Sequence, residues 1–243
     1  MALAITVIAL ALGSVYLLRD RQERTEFLQT DADAILSNVK MRPKALAEGR
    51  AVFLTQCASC HGDDARGSRS TGTPDLTDQD YLYGSGRASE IEAIVLHGIR
   101  SGDDKGWDLA WMPAYGHAVP YARSALSSLT PTEIAQLTSF LLAINGSREE
   151  NPSDVSAGQA LYQGRGGCWD CHSRDLRGDA AIGAPNLSDP IWLRGSGGRD
   201  DIARVIREGL HGVSPAFRGR LDLVSIRAVA VYVASLHQRS DKP

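Results

Sequence analysis

"CASCH" at residues 57–61 and "CWDCH" at residues 168–172 decide how the rest of this chain reads. Together they hold all four cysteines of the 243 residues, two per motif, and each pair is followed directly by a histidine. C-x-x-C-H is the attachment motif for a c-type haem: two thiols at that spacing reach the two vinyl groups of one porphyrin, and the adjacent histidine comes to lie under the iron. Cys57, Cys60, Cys168 and Cys171 are therefore the candidate attachment points for two covalently bound haem c groups. His61 and His172 are the candidate proximal ligands. A Cys₄ zinc site, a thioredoxin-like pair or a disulfide can use the same C-x-x-C spacing. Two copies that consume every cysteine, each with its own histidine, argue against all three.

The sequence around the motifs repeats as well. "GTPDLTD" (72–78) matches "GAPNLSD" (183–189), "YLYGSG" (81–86) matches "WLRGSG" (192–197), and "EIEAIVLHGI" (90–99) matches "DIARVIREGL" (201–210), all at a shift of 111 residues. After nine extra residues in the first copy, "MPAY" (112–115) aligns with "SPAF" (214–217), so Met112 in one copy faces Ser214 in the other. Upstream, "EGRAVF" (48–53) matches "AGQALY" (157–162). Self-similarity of this kind means two copies of one domain, joined by the polar stretch "GSREENPS" (146–153).

Helices are predicted over 44–56 and 154–165, leading into each cysteine motif. Ser89 and Glu92 are read as a capping box, as are Thr130, Pro131 and Glu133. Ile134, Leu137 and Leu141 recur at helical spacing, as do Ile226, Val229, Val233 and Leu236, and no alternating strand is found. Each copy is a helical domain of about 90 residues, too small for a large core of its own, so a covalently held haem would supply much of its interior.

This pattern resembles the class I cytochrome c fold over nearly all of residues 45–240. In that family a methionine from a loop before the last helix is the distal iron ligand. The resemblance implies Met112 in that role for the first haem, with His61 opposite. "GAPNLSDPIWLRG" followed by "I..VIREGLHGVSPAF" is similar more specifically to the dihaem subunit (subunit III) of cbb-type haem-copper cytochrome c oxidases. That resemblance implies an electron relay from a quinol-oxidising complex or a soluble cytochrome to the oxidase core, without catalysis by the chain alone. A departure from the family is Ser214, where the family has a methionine. A hydroxyl is a poor ligand for soft ferrous iron, so the second haem is expected to be open or water-bound on its distal side. His211 is the nearest substitute ligand, and Met41 a remote one. Trp107 and Trp111 are expected near the first haem, Trp169 and Trp192 near the second. Other readings are a freestanding dihaem carrier for another periplasmic reductase, and a gas sensor or peroxidase-like protein using the open haem.

Composition adds exclusions. Net charge is −3, with 43% hydrophobic and 23% charged residues, which leaves no basic face for nucleic acid. Residues 57–112 carry ten acidic and five basic side chains, and residues 168–217 seven and six. The first copy therefore offers a docking face for a basic soluble cytochrome. Residues 2–18 are uncharged, about 25 Å long as a helix, and are expected to form a single uncleaved transmembrane anchor. The arginines that follow the span favour the cytoplasm for the rest of the chain. Haem attachment outside the cytoplasm overrides them and puts both haem domains on the periplasmic side of a bacterial inner membrane. The expected architecture is all-α: an anchor (1–20), a linker (21–43), and two tandem cytochrome c domains (44–146 and 147–243).

Overall fold

The computed structural model describes residues 2–117 and 128–240, with side chains over 10–117 and 128–237. Ten helices and no strands are present among the described residues; β-type pairing is confined to isolated bridges. Helix α1 (Ala2–Gln29) is continuous, and α2 (Ala32–Ile35) turns the chain into α3 (Arg42–Gln56) and the short α4 (Ala58–His61). Then come α5 (Ala88–His97), α6 (Pro131–Ile144), α7 (Pro152–Gln163), the short α8 (Trp169–His172), α9 (Arg199–Glu208) and α10 (Leu223–Ser240).

Local chemistry explains most boundaries. Thr130 caps α6, Pro131 opens it, and the Glu133 carboxylate accepts from the Thr130 N–H at 2.9 Å, as the sequence suggests. The Ser89–Glu92 box is corrected. Helix α5 starts earlier, and Glu90 closes its end by accepting from the backbone N–H groups of Arg87 (3.3 Å) and Ser85 (2.6 Å). Ser89 instead donates its hydroxyl to Asp33, and Glu92 pairs with Arg227. The carboxylate of Asp201 repeats the device at α9, accepting from the Ser196 N–H at 2.7 Å.

The packing units are not consecutive stretches of chain. Helix α6, expected to close the first domain, packs on α7 and α9. The final helix α10 packs on α3 and α5. One core holds Ile134, Leu137, Phe140 and Leu141 with Tyr162, Ile202 and Ile206. Another holds Phe53 and Ala65 with Val229, Tyr232, Val233 and Leu236. The boundary between 146 and 147 therefore runs through one packing unit: the C-terminal segments of the two repeats are exchanged. The physical reason is connection length. Only residues 145–151 separate α6 from α7, and helices joined by so short a link pack against each other. The first helix of the repeats is then left for the last.

Close helix crossings seal both pairs. A Cβ on Gly49 of α3 would lie 2.1 Å from the Ala228 carbonyl oxygen of α10, and one on Gly158 of α7 would lie 2.1 Å from that of Gln136 in α6. The two units meet about an approximate two-fold relation: Gly84 N–H donates to Ala180 O (3.1 Å), and its repeat mate Gly195 N–H donates to Arg69 O (2.9 Å).

Helix α1 is 28 residues long, about 42 Å at 1.5 Å per residue. Its C-terminal half is charged and docks on the first unit, where Arg227 donates to the carbonyls of Phe27 (3.0 Å), Leu28 (2.5 Å) and Thr30 (2.9 Å). Among the described residues no helix is long and apolar enough to cross a membrane. Residues 2–9, the first part of the expected anchor, lie outside those with described side chains. Leu10, Leu12, Tyr16, Leu17 and Leu18 are exposed.

Candidate functional site

Each C-x-x-C-H motif bends into a single helical turn, α4 or α8, that carries its histidine at the end. The His61 Nδ1 lies 3.3 Å from the Pro74 carbonyl oxygen, and the His172 Nδ1 lies 3.0 Å from that of Pro185. In both repeats the carbonyl belongs to the proline thirteen residues on. A carbonyl can only accept, so it fixes the proton on Nδ1 and leaves Nε2 with a free lone pair, the arrangement found behind metal-bound histidines. Burial lowers the pKa of both imidazoles, and the proline carbonyls oppose the shift. Both rings are thus held neutral and ready to donate to a metal.

No disulfide joins any of the four cysteines. Burial pushes Cys57 and Cys168 up to about 11. The two pairs also sit in separate units, and among the described residues no three His, Cys, Asp or Glu side chains converge to hold a metal ion.

The second seat is a cavity. Its lining includes Cys168, Cys171, His172, Met112 and Leu210, with Leu137, Leu141, Tyr162, Trp192, Ile202 and Ile206 among the apolar walls. It encloses about 1280 Å³ of empty space, counting its open mouth. Apolar walls, two thiols and an oriented imidazole fit a covalently bound porphyrin.

The exchange of segments re-sorts the expected ligands. Met112 lies in the cavity of His172 rather than with His61. Its backbone pairs with Leu210 in both directions, each N–H to O distance 3.1 Å. Tyr115 and Gly116 continue the pairing, donating to Ile206 O and Arg207 O. Ser214 pairs instead with Ile99 of the first unit (2.9 and 3.0 Å), and Phe217 N–H donates to Val95 O at 2.9 Å. So the segment carrying Met112 belongs to the second seat, and the one carrying Ser214 to the first. The crossing thus brings Met112 to the unit of His172 and Ser214 to that of His61, where the expected pairing had set Met112 with His61. Trp111 lies with Trp192 at the second cavity, not at the first seat. His211 is exposed. Met41 precedes α3 and packs near Ala32, Ile35 and Phe27.

Sequence reading missed the two proline carbonyls, although "TPD" and "APN" recur at one offset from each histidine. It also missed Tyr83 and Arg100, which line the second cavity from the first repeat. Nothing local in the sequence marks those two, because the exchange alone brings them there.

Two oriented histidines, each behind a thiol pair in a small helical unit, define a dihaem c-type cytochrome. Comparison with known families agrees: residues 46–145 match the model described as cytochrome c. Residues 153–233 match the model for cytochrome c oxidase, cbb3-type, subunit III. A cbb3-type cytochrome c oxidase subunit FixP from Bradyrhizobium sp. (strain ORS 278) is 35% identical over 84% of this chain and 67% of its own length. The subunit CcoP from Cereibacter sphaeroides is 36% identical over 88% of this chain and 68% of its own. The FixP of Rhizobium meliloti (strain 1021) is 31% identical over 87% and 67%. The chain belongs to the FixP/CcoP family, subunit III of cbb3-type cytochrome c oxidases, and carries covalently bound haem c.

Proposed function

We propose that this chain is the dihaem electron relay of a cbb3-type cytochrome c oxidase. In this reading His172 and Met112 would hold the second haem, and His61 would hold the first, in the unit that the Ser214 segment completes. The observation that carries the assignment is the Met112–Leu210 pairing inside the cavity of His172. A bound haem would supply one-electron exchange at iron, and a methionine sulfur ligand such as that of Met112 would raise its potential. The protein does the rest: Pro185 and Pro74 fix the histidine tautomers, and the apolar cavity excludes water from the second site.

Helix α1 supports a role as a tether. Its exposed leucines continue directly into a charged half fastened to the first unit, by Arg227 and by ion pairs such as Lys44–Glu23 at 3.1 Å. With residues 2–18 in the bilayer, both units stand at the periplasmic surface beside the oxidase core, at raised effective concentration. The nine-residue insertion of the first repeat brings exposed Asp104 and Asp108 into one stretch with exposed Leu109 and Trp111. That combination suits a basic soluble cytochrome, guided by charge and seated on an apolar patch.

Single-haem variants test the ligand assignment. Cys57→Ala/Cys60→Ala should keep the far-red thioether-to-iron absorption band, and Cys168→Ala/Cys171→Ala should lose it. In wild type, carbon monoxide should bind the reduced first haem alone. A band that follows the first haem overturns the assignment. Membership in the complex is tested by gentle solubilisation: the chain should co-purify with a haem-copper core.

A further inference from the structure

Arg100 sits where the two repeats cross. Its Nε donates to Gly212 O at 2.5 Å, and its Nη1 donates to Ala110 O at 3.0 Å and to the Tyr83 hydroxyl at 2.9 Å. Ala110 and Gly212 are equivalent positions of the two repeats, each two residues before the distal position, Met112 or Ser214. A single guanidinium therefore fastens both exchanged segments at one point. The arrangement is not shared by the repeat mate, His211, which is exposed.

Two further observations separate this from ordinary loop bracing. Arg100 has φ of +51°, a left-handed conformation that costs a non-glycine residue about 1 kcal/mol or more. And it lines the cavity of His172 and Met112, whose walls hold no carboxylate and two arginines, Arg100 and Arg194. Nη2 of Arg100 has no partner among the described residues. A haem c carries two carboxylates along one edge, and a planar guanidinium receives a carboxylate with paired hydrogen bonds.

We infer that Arg100 is a positioning residue at the junction of the two haem sites: it fixes the Met112 segment over the second seat and receives the carboxylate edge of the haem held there. This rests on the ligand assignment above. A positive charge at that edge disfavours the oxidised iron, so it holds the potential of the methionine-ligated haem up. A haem held there would turn its carboxylate edge toward the first repeat.

The test is spectroelectrochemical titration of the full-length dihaem protein, following the haem that carries the thioether band. Arg100→Met should lower the potential of that haem by on the order of tenfold in its reduction equilibrium, ~59 mV for one electron, with a smaller change at the other haem. Arg100→Lys keeps the charge without the fork, and should retain most of the potential while the band weakens as the segment loosens. Equal shifts at both haems, or none in either variant, overturn the inference. If Arg100→Met fails to load haem, Arg100→Lys decides: an unmoved potential with a weakened band supports the inference, and a potential lowered as far as the free carboxylate edge would give overturns it. The single-haem variants report separately on the ligand assignment, so its failure is distinguishable from failure here.

Discussion

Gly49→Ala tests the exchanged packing directly. The new Cβ would stand 2.1 Å from the Ala228 carbonyl oxygen and 2.6 Å from the Tyr232 Cβ, so α3 and α10 must move apart by more than 1 Å to restore ordinary contact. The neighbours are backbone and a helix-fixed Cβ, which cannot swing aside. Overpacking of this kind costs about 3 kcal/mol, and replacing glycine by alanine inside a helix returns about 1 kcal/mol. The net, ~2 kcal/mol, corresponds to roughly a 30-fold rise in opening of the pair. Hydrogen–deuterium exchange with mass spectrometry reads the location. Amides of 223–240 should lose about 30-fold in protection where exchange follows sub-global opening, and those of 131–144 should keep theirs. The mirror variant, Gly158→Ala, should expose 131–144 and spare 223–240. If Gly49→Ala loosens 131–144 while α10 stays protected, the repeats are tandem and the crossing is refuted.

Ser214→Met should add a second thioether band, raise the potential of the first haem and abolish carbon monoxide binding there; binding that persists unchanged places Ser214 away from that iron. Asp80 is pushed up to about 6, first by burial and then by Asp189 and Asp78. An acid with a raised folded pKa stabilises the fold while protonated, so its contribution is full below about pH 4 and is lost as pH rises through 6. Thermal melts should show Asp80→Asn gaining ~1 kcal/mol at pH 7.5, after allowance for solvent screening, and nothing at pH 4; an equal gain at both would refute the electrostatic cause. Arg227→Met removes a half-buried pair with Glu92 (3.1 Å) together with three carbonyl contacts to the end of α1. Denaturant titration should show a loss of ~3 kcal/mol, and limited proteolysis new cleavage near residues 27–31. The exposed pair Arg24–Asp222 should contribute under ~1 kcal/mol when Arg24 is replaced.

What the sequence determined by itself was local chemistry. Two thiols and a histidine at fixed spacing specify a haem seat wherever the chain places them, and the Thr130–Pro131–Glu133 start specifies a helix whatever it packs on. The repeat likewise announced two equivalent units, and the scarcity of methionines singled out Met112. Partnership was beyond local reading. Helices α6 and α10 are repeat mates with similar apolar faces, and so are the Met112 and Ser214 segments, so either member of each pair can complete either unit. The apolar pattern alone does not distinguish the two solutions, although polar pairs such as Arg227–Glu92 and Arg165–Glu133 form in the one adopted. The tertiary structure decides through the path of the chain: the short link of residues 145–151 holds α6 beside α7 and leaves α10 for α3. That choice carries Met112 to the cavity of His172 and Ser214 to the first unit, and brings Arg100 between them.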